Sequence, residues 1–521
     1  MKKIPFLFLS LIAASGIFAN GTRQEAPGPD LQINVTGIPI IKDLVTVDAV
    51  VVKNPNSRTP IDEMAPVIDT EKKTNVHIAW TEVPMASWAE KVNLLIAAGD
   101  LPDTFIGGGV NLARTVESFA RLNDSIAKYA PAVQQLFKNR PDLKAYVTMP
   151  DGGIYSLPTG SEAYSGLCND QLWINKSWLD DLGLKMPATT KEFEDVLTAF
   201  KNYKAGAIPL SACHSAGDSA LELNSLTGSF GALYKRATAL VVQDGKIVFA
   251  PAEKGFYDAL VWLHSLYSRG LLDQEVFIQN RQQYESKFKT DETAGAFFAF
   301  TPDFVVAPEI ANHYVALPPL TGPNGQQPVW AKGFPVSNEA FTITKNSKYV
   351  DVLVRWYDYL NSSMENMLEW GWGMKDYSWR MRPDGKWEIA SDNQPADMAY
   401  AVWRHSFAPA TVSPILFRSE WVGPDAQYFS AERDQIKNAA VLSYLPYLEK
   451  ETVGSLFLSA DDATTRNLIW VELNNYLIRF FAQSIMNGID DAGWNAHLAT
   501  LKTLRADEYV AIINKYFTPA N

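Results

Sequence analysis

At 521 residues the chain is longer than one hydrophobic core usually supports, so at least two lobes are expected, each with ample apolar surface. A formal charge of −12 excludes the basic footprint that nucleic acid or an anionic membrane surface requires. Two cysteines exclude a disulfide framework and a thiolate zinc site; Cys168 and Cys213 are compatible with one bridge or with two buried free thiols.

The N-terminus carries Lys2 and Lys3, an apolar run from Ile4 to Ala14 broken by Ser10, and small residues ending at Ala19. That is the form of a secretory signal peptide cleaved after Ala19, and the run is too short to span about 30 Å of hydrocarbon as an anchor. Cleavage removes two lysines and takes the formal charge from −12 to −14. The junction reads GIFANGT and the first cysteine is Cys168, so no lipid anchor is expected. No later stretch is apolar over a membrane-spanning length, and a soluble mature chain follows. Gly21 to Asp30 is polar with two prolines and reads as a flexible lead-in.

Apolar alternation predicts strands at Leu44 to Val52 and in VHIAW, where Val76, Ile78 and Trp80 share a face and Trp80 ends the strand. IDEMAPVIDTEKKTN between them reads as a helix interrupted by Pro66, or as a helix and a turn. Trp88, Val92, Leu95 and Ile96 fall at helical spacing before Gly99, and TFI then feeds Gly107 to Gly109. These glycines lack the Lys-Ser/Thr of a phosphate loop and the spacing of a dinucleotide fingerprint, so they read as loop geometry. The strand, helix, strand rhythm implies an open sheet with helices on its faces.

Asp151-Gly152, between AYVTM and IYSLP, predicts a tight turn joining two strands. Thr189 stands three residues before Glu192, a capping box, and Phe193, Val196, Leu197 and Phe200 form one helical face, so a helix begins near Thr190. A strand entrance follows at Gly206 to Pro209, a hairpin at Asp244-Gly245, and a helix over Glu253 to Arg269. AGAFFAF and HYVALPPL read as buried strands, Pro323-Asn324-Gly325 as a turn, EAFTITKN as a strand, and Tyr349 to Leu360 and SSMENMLEW as helices. The C-terminal third is mostly helical: a long helix from Asp461 to Met486, capped by Ser459 and stopped at Gly488, and a last one with Tyr509, Ile512, Ile513 and Tyr516 on one face.

Six histidines, at 77, 214, 264, 313, 405 and 497, lie singly, without the paired spacing of a metal site, and there is no nucleophile elbow. No catalytic residue, metal or cofactor is assigned, although 58 acidic residues leave a glycosidase-like carboxylate pair open. The aromatic content, with 15 Trp, 21 Tyr and 26 Phe, suits the apolar faces and polar edges of sugar rings, or simply fills cores. In WGWGMKDYSW the glycines force a loop or helix end, so Trp370, Trp372, Tyr377 and Trp379 cannot all lie on one buried helix face.

EKVNLLIAAGDLPD (90–103), DGGIYSLP (151–158), INKSWLDDLGLKMPATTKEFEDVLTAFK (174–201), EAFTITKNSKYV and GIDDAGWNAHLATLKTLRADEYVAIINKYF occur in the order seen in the extracellular solute-binding proteins of bacterial ABC importers. The chain resembles family 1 of these proteins, in the oligosaccharide subgroup that includes the alginate-binding proteins. The resemblance implies an α/β, two-lobed periplasmic binding protein fold with two or three crossover strands, an interlobe ligand cleft and a helical C-terminal region. It implies lobes of 31–166 with about 333–385, and 167–332 with about 386–521, after a signal peptide (1–19) and lead-in (20–30). Closure on an oligosaccharide would create the surface read by ABC permease subunits, in a monomeric, non-enzymatic, periplasmic protein.

Cys168 to Trp173 would leave a crossover beside the cleft, making Asn169, Asp170 and Gln171 hydroxyl partners or, alternatively, plain turn formers. The ligand-binding set expected is Trp80, Asn169, Gln171, Phe300, Trp370, Trp372, Tyr377 and Trp421, with Trp80 and Phe300 chosen as strand ends. Relatives often carry an Asp/Asn-rich calcium loop after the LTAFK-like helix; NYKAGAIP stands here, so no calcium is expected. The family's G-x-x-G-x-x-Y is also altered, Met374 replacing the second glycine between Gly371 and Tyr377. Alternative readings are a secreted carbohydrate hydrolase or lyase, and a sensory binding protein docking on a chemoreceptor or kinase.

Overall fold

The computed structural model describes residues 31–54, 57–168, 171–214, 222–333, 336–395, 398, 400–410, 414–429, 432–454 and 456–517. The expected signal peptide and lead-in, and Asn169 and Asp170, lie outside the described residues. Among the described residues no helix is long and apolar enough to cross a membrane.

The chain opens with β1 (Val45–Lys53), α1 (Ala65–Thr74) and β2 (Val76–Pro84), the two strands pairing in parallel from Val45 opposite Val76 to Lys53 opposite Pro84. Pro66 sits in the first turn of α1 and starts the helix instead of interrupting it, because an N–H there has no intrahelical partner to lose. β2 runs four residues past Trp80, which is therefore mid-strand and not the strand end expected. α2 (Trp88–Ala98) stops at Gly99 with φ +70°, and β3 (Thr104–Ile106) joins β1 in parallel. Val47, Ala49 and Val51 point to one core and Val50 and Val52 to another, so both faces of this sheet are covered.

The turn at Asp151-Gly152 is present, with φ +75° at Gly152 and the Met149 N–H donating to the Gly153 carbonyl at 2.8 Å. It does not join two strands. Pro141 starts a helix over Pro141–Val147 that buries Leu143 and Val147, leaving only Thr148 and Ile154 to pair as an isolated bridge.

β4 (Thr159–Ser161) carries the chain into β5 (Gln171–Asn175) and α3 (Thr190–Tyr203). Both halves of the Thr189–Glu192 capping box are formed, and Phe193, Val196, Leu197 and Phe200 are buried as their spacing predicts. β6 (Ile208–Ser211) is followed by the hairpin of β7 (Leu240–Gln243) and β8 (Lys246–Phe249), whose Asp244 and Gly245 have φ +50° and +70°, the turn type that matches strand twist. Then come α4 (Lys254–Ser268), the wholly buried β9 (Ala294–Ala299) and β10 (Tyr314–Ala316). β11 (Val336–Ser337), β12 (Phe341–Ile343), α5 (Val350–Leu360), α6 (Met364–Trp372), β13 (Trp379–Met381), β14 (Trp387–Ile389), β15 (Leu416–Phe417) and β16 (Gln427–Tyr428) follow. The chain closes with α7 (Glu432–Tyr444), α8 (Ala460–Asn487), α9 (Asp491–Thr503) and α10 (Ala506–Asn514).

Two four-stranded sheets, ordered β12-β3-β1-β2 and β10-β5-β9-β6, each organise a core. The first core also takes in Trp379, Trp387, Leu416, Phe417 and Val422, and the second unites the buried face of α3 with α4, α8 and α10. The chain passes from one to the other through a three-stranded hinge sheet, β11-β4-β15, whose Val336, Leu416 and Phe417 pack into the first core. A strap adds a further crossing: the Glu449 N–H donates to the Trp330 carbonyl at 3.0 Å, Phe457 then joins the cluster of Val50, Val52 and Phe105 of the first sheet with Phe119, and the chain returns to α8. Cys168 and Cys213 are buried free thiols.

Candidate functional site

Strand ends facing the hinge are where an open α/β sheet presents ligand groups. Phe300 directly follows β9, and Ala163 and Tyr164 follow β4; with Trp372 at the end of α6, Arg404, Val422 and the α7 residues Asp434, Lys437 and Asn438, they line a recess of about 160 Å³ beside β15.

Two glycines set Trp372 in place. A Cβ on Gly371 would lie 2.3 Å from the Phe417 ring, and Gly373, with φ +96°, ends α6 where a Cβ would meet Phe407 at 2.6 Å. The helix end is tied by Ser378 Oγ donating to the Trp372 carbonyl (2.5 Å) and Trp379 Nε1 donating to the Gly373 carbonyl (2.8 Å). The half-buried Trp372 ring stands edge-on to Trp387 (5.0 Å) and Phe417 (5.1 Å), with the Arg404 guanidinium 4.2 Å from its centroid. Phe300 is edge-on to Phe304 (6.3 Å), and the Lys437 ammonium lies 3.8 Å from its centroid. Flat apolar faces bordered by charged and amide groups suit a hydroxyl-rich ring.

Of the residues expected from the sequence, Phe300 and Trp372 meet in this recess. Trp370, two positions earlier on α6, is 1 % exposed and packs edge-on against Trp356 at 5.5 Å; half-buried Trp80 lies 6.5 Å from it. Trp421 adjoins the wall residue Val422, its own ring covered by Arg418 at 4.2 Å and its carbonyl accepting from Trp387 Nε1 at 2.7 Å. Tyr377 is exposed on a shelf with Phe407 (5.3 Å) and Trp403 (6.4 Å), outside the recess. Gln171 is fully buried, its Nε2 donating to the Cys168 carbonyl (2.8 Å) and its Oε1 accepting from Lys437. Arg404, Asp434, Lys437 and Asn438 carry no sequence signal, since lone polar residues in helical stretches read as solvated faces.

A larger recess, about 300 Å³, lies beside β11 between Asn111, Asn338 and Glu339 on one side and the strap, α8 and α10 on the other. Burial raises the Glu339 carboxyl above its ordinary value, against the Asn111 and Leu112 N–H groups that donate to it at 3.2 and 2.9 Å. Among the described residues no group of three or more His, Cys, Asp or Glu could hold a metal ion. The α3–β6 connection does not fit calcium: Lys204, Ala205, Gly206 and Ala207 offer no carboxylate, and Lys204 Nζ already donates to the Glu292 carbonyl at 2.8 Å.

Two lobes around a hinge sheet with an aromatic recess define a binding protein. The profile of the bacterial extracellular solute-binding protein family matches residues 58–367, and the chain belongs to that family. Among its relatives is the fructooligosaccharide ABC transporter substrate-binding protein FusA of Streptococcus pneumoniae, 28% identical over 96% of this chain and 95% of FusA. The structure of FusA in complex with kestose superposes with a TM-score of 0.74, covering 90% of this chain and 98% of that one at 26% identity. An HMO-binding, ABC-transporter-associated solute-binding protein of Bifidobacterium longum infantis shares the fold (TM-score 0.76, 21% identity, 91% and 98% covered). So does the alginate-binding protein AlgQ2 (TM-score 0.66, 18% identity, 92% and 98% covered).

Proposed function

We propose that this chain is the substrate-binding subunit of an ABC importer that captures an oligosaccharide between its lobes and presents it to a membrane permease. The observation that carries the reading is the hinge-side recess, where Phe300, just after β9 of the second sheet, and Trp372, packed against the first core, meet and each ring has a cation seated on it. Full-length likeness to FusA makes a fructooligosaccharide the first ligand class to test. In this proposal Phe300 and Trp372 stack on sugar, Tyr377 reaches units beyond the recess, Asn169 is a hydroxyl partner, and Trp80, Gln171, Trp370 and Trp421 hold the contact residues in place.

The protein acts without catalysis, as a monomer, and is exported to the periplasm with cleavage after Ala19 and no lipid anchor. The packing of Trp387, Leu416 and Phe417 into the first core supports extending the first lobe beyond residue 385. Titration calorimetry with kestose and a panel of plant and algal oligosaccharides tests the function. Heat and a tryptophan fluorescence change without cleavage of the sugar are expected; turnover, or no binding across the panel, overturns it.

A further inference from the structure

Lys437 is the least expected group in the recess. It is a lysine only 3 % exposed, on a face of α7 whose neighbours Ala440, Val441 and Tyr444 are buried. Packing alone is served at lower cost by Leu or Met, since burying an ammonium must be offset by directed contacts. Those contacts are specific. Lys437 Nζ donates to the Cys168 carbonyl at 3.2 Å and to Gln171 Oε1, and lies 3.8 Å from the Phe300 centroid.

These partners arrive separately. Cys168 and Gln171 bracket the crossover that leaves the hinge sheet, and Gln171 opens β5 opposite Ala299, the residue before Phe300. Because Lys437 takes Oε1, the Gln171 amide is turned so that Nε2 donates back to the Cys168 carbonyl, which also accepts from Lys437 Nζ, and the three groups form one hydrogen-bonded triad. One ammonium thus joins Cys168, the start of β5, the end of β9 and α7 at the recess wall.

We propose that Lys437 is a positioning residue for ligand binding, fixing the Cys168 carbonyl, the Gln171 amide and the Phe300 ring in the geometry that receives sugar. This rests on the oligosaccharide reading above.

The test uses Lys437→Met, Gln171→Met and the double variant of the full-length protein, with kestose as the probe. Hydrogen exchange and thermal unfolding are followed without sugar, and calorimetry with it. Loss of the charged hydrogen bonds from Lys437 to Gln171 Oε1 and the Cys168 carbonyl predicts binding weaker by about tenfold or more for Lys437→Met. Faster amide exchange is expected at Leu172 and Phe300 in the sugar-free variant. The double variant also takes the Gln171 and Lys437 donors from the buried Cys168 carbonyl, so it should stay below wild type in both melting temperature and affinity. Binding within about twofold of wild type in Lys437→Met, or recovery of both properties in the double variant, overturns the proposal. If wild type takes no sugar, the functional reading falls by itself. The exchange data then decide about Lys437: unchanged exchange overturns its hold on the start of β5 and the end of β9, and faster exchange supports it.

Discussion

The recess beside β15 has about half the volume of the one beside β11, about 160 against 300 Å³, yet it holds two aromatic rings with cations seated on them. In the larger recess the corresponding groups are committed to the fold. The Glu339 carboxylate accepts from two backbone N–H groups, the Tyr509 hydroxyl donates to the Thr238 carbonyl at 3.1 Å, and Phe457 is inserted in the first lobe. Volume alone would select the larger one. A ligand is recognised by the faces and donors a cavity can turn towards it, and space left between packed elements offers neither.

Four substitutions press on this contrast. Phe457→Ala is expected to cost the most stability, about 3–5 kcal/mol by denaturant unfolding, while leaving kestose affinity within about twofold; the reverse pattern would move the ligand to the larger recess. Trp372→Ala should weaken kestose binding by about ten- to a hundredfold in calorimetry, whereas Asn467→Ala across the hinge sheet should leave it unchanged. Tyr509→Phe deletes one hydrogen bond in the larger recess and should lower stability by about 1 kcal/mol with no effect on binding.

Acid gives the smallest effect. The folded-state carboxyl of Glu339 is raised above the 4.5 of the unfolded chain, so the folded protein takes up this proton first. Stability from this group is therefore lacking above the raised value and gained as pH falls from there to 4.5. Glu339→Gln should flatten that part of the melting temperature against pH, and an unchanged profile would show that Glu339 is better solvated than its burial implies.

Local grammar was legible where a motif is complete within one segment. The Thr189–Glu192 box, the four-residue face of α3 and the Asp244-Gly245 turn are each decided by residues within a dozen positions of one another. Motifs that depend on distant neighbours were not. Trp370 and Trp372 look alike in sequence, but two helical steps of about 100° place them on opposite sides of α6, and only the arrival of Trp356 on one side and Phe417 on the other tells core from recess. Lys437 was invisible for a related reason, because a lysine in a helix reads as a solvated face until Gln171, 266 positions away, is folded against it. The mistaken strand before Asp151 shows the same limit, since a turn signal fixes where the chain reverses and not what precedes it.

The strap has a consequence at the level of the gene. The first lobe is built from residues that precede the second, residues that return from it, and then Phe457, reached only after most of the second lobe has been traversed. No single cut in the coding sequence releases either half as a unit that could complete its own interior. Recombination between relatives at a lobe boundary therefore leaves a mismatched plug. Such a protein cannot acquire a new ligand by exchanging a lobe as a cassette; its specificity has to change in place, around the recess, one side chain at a time.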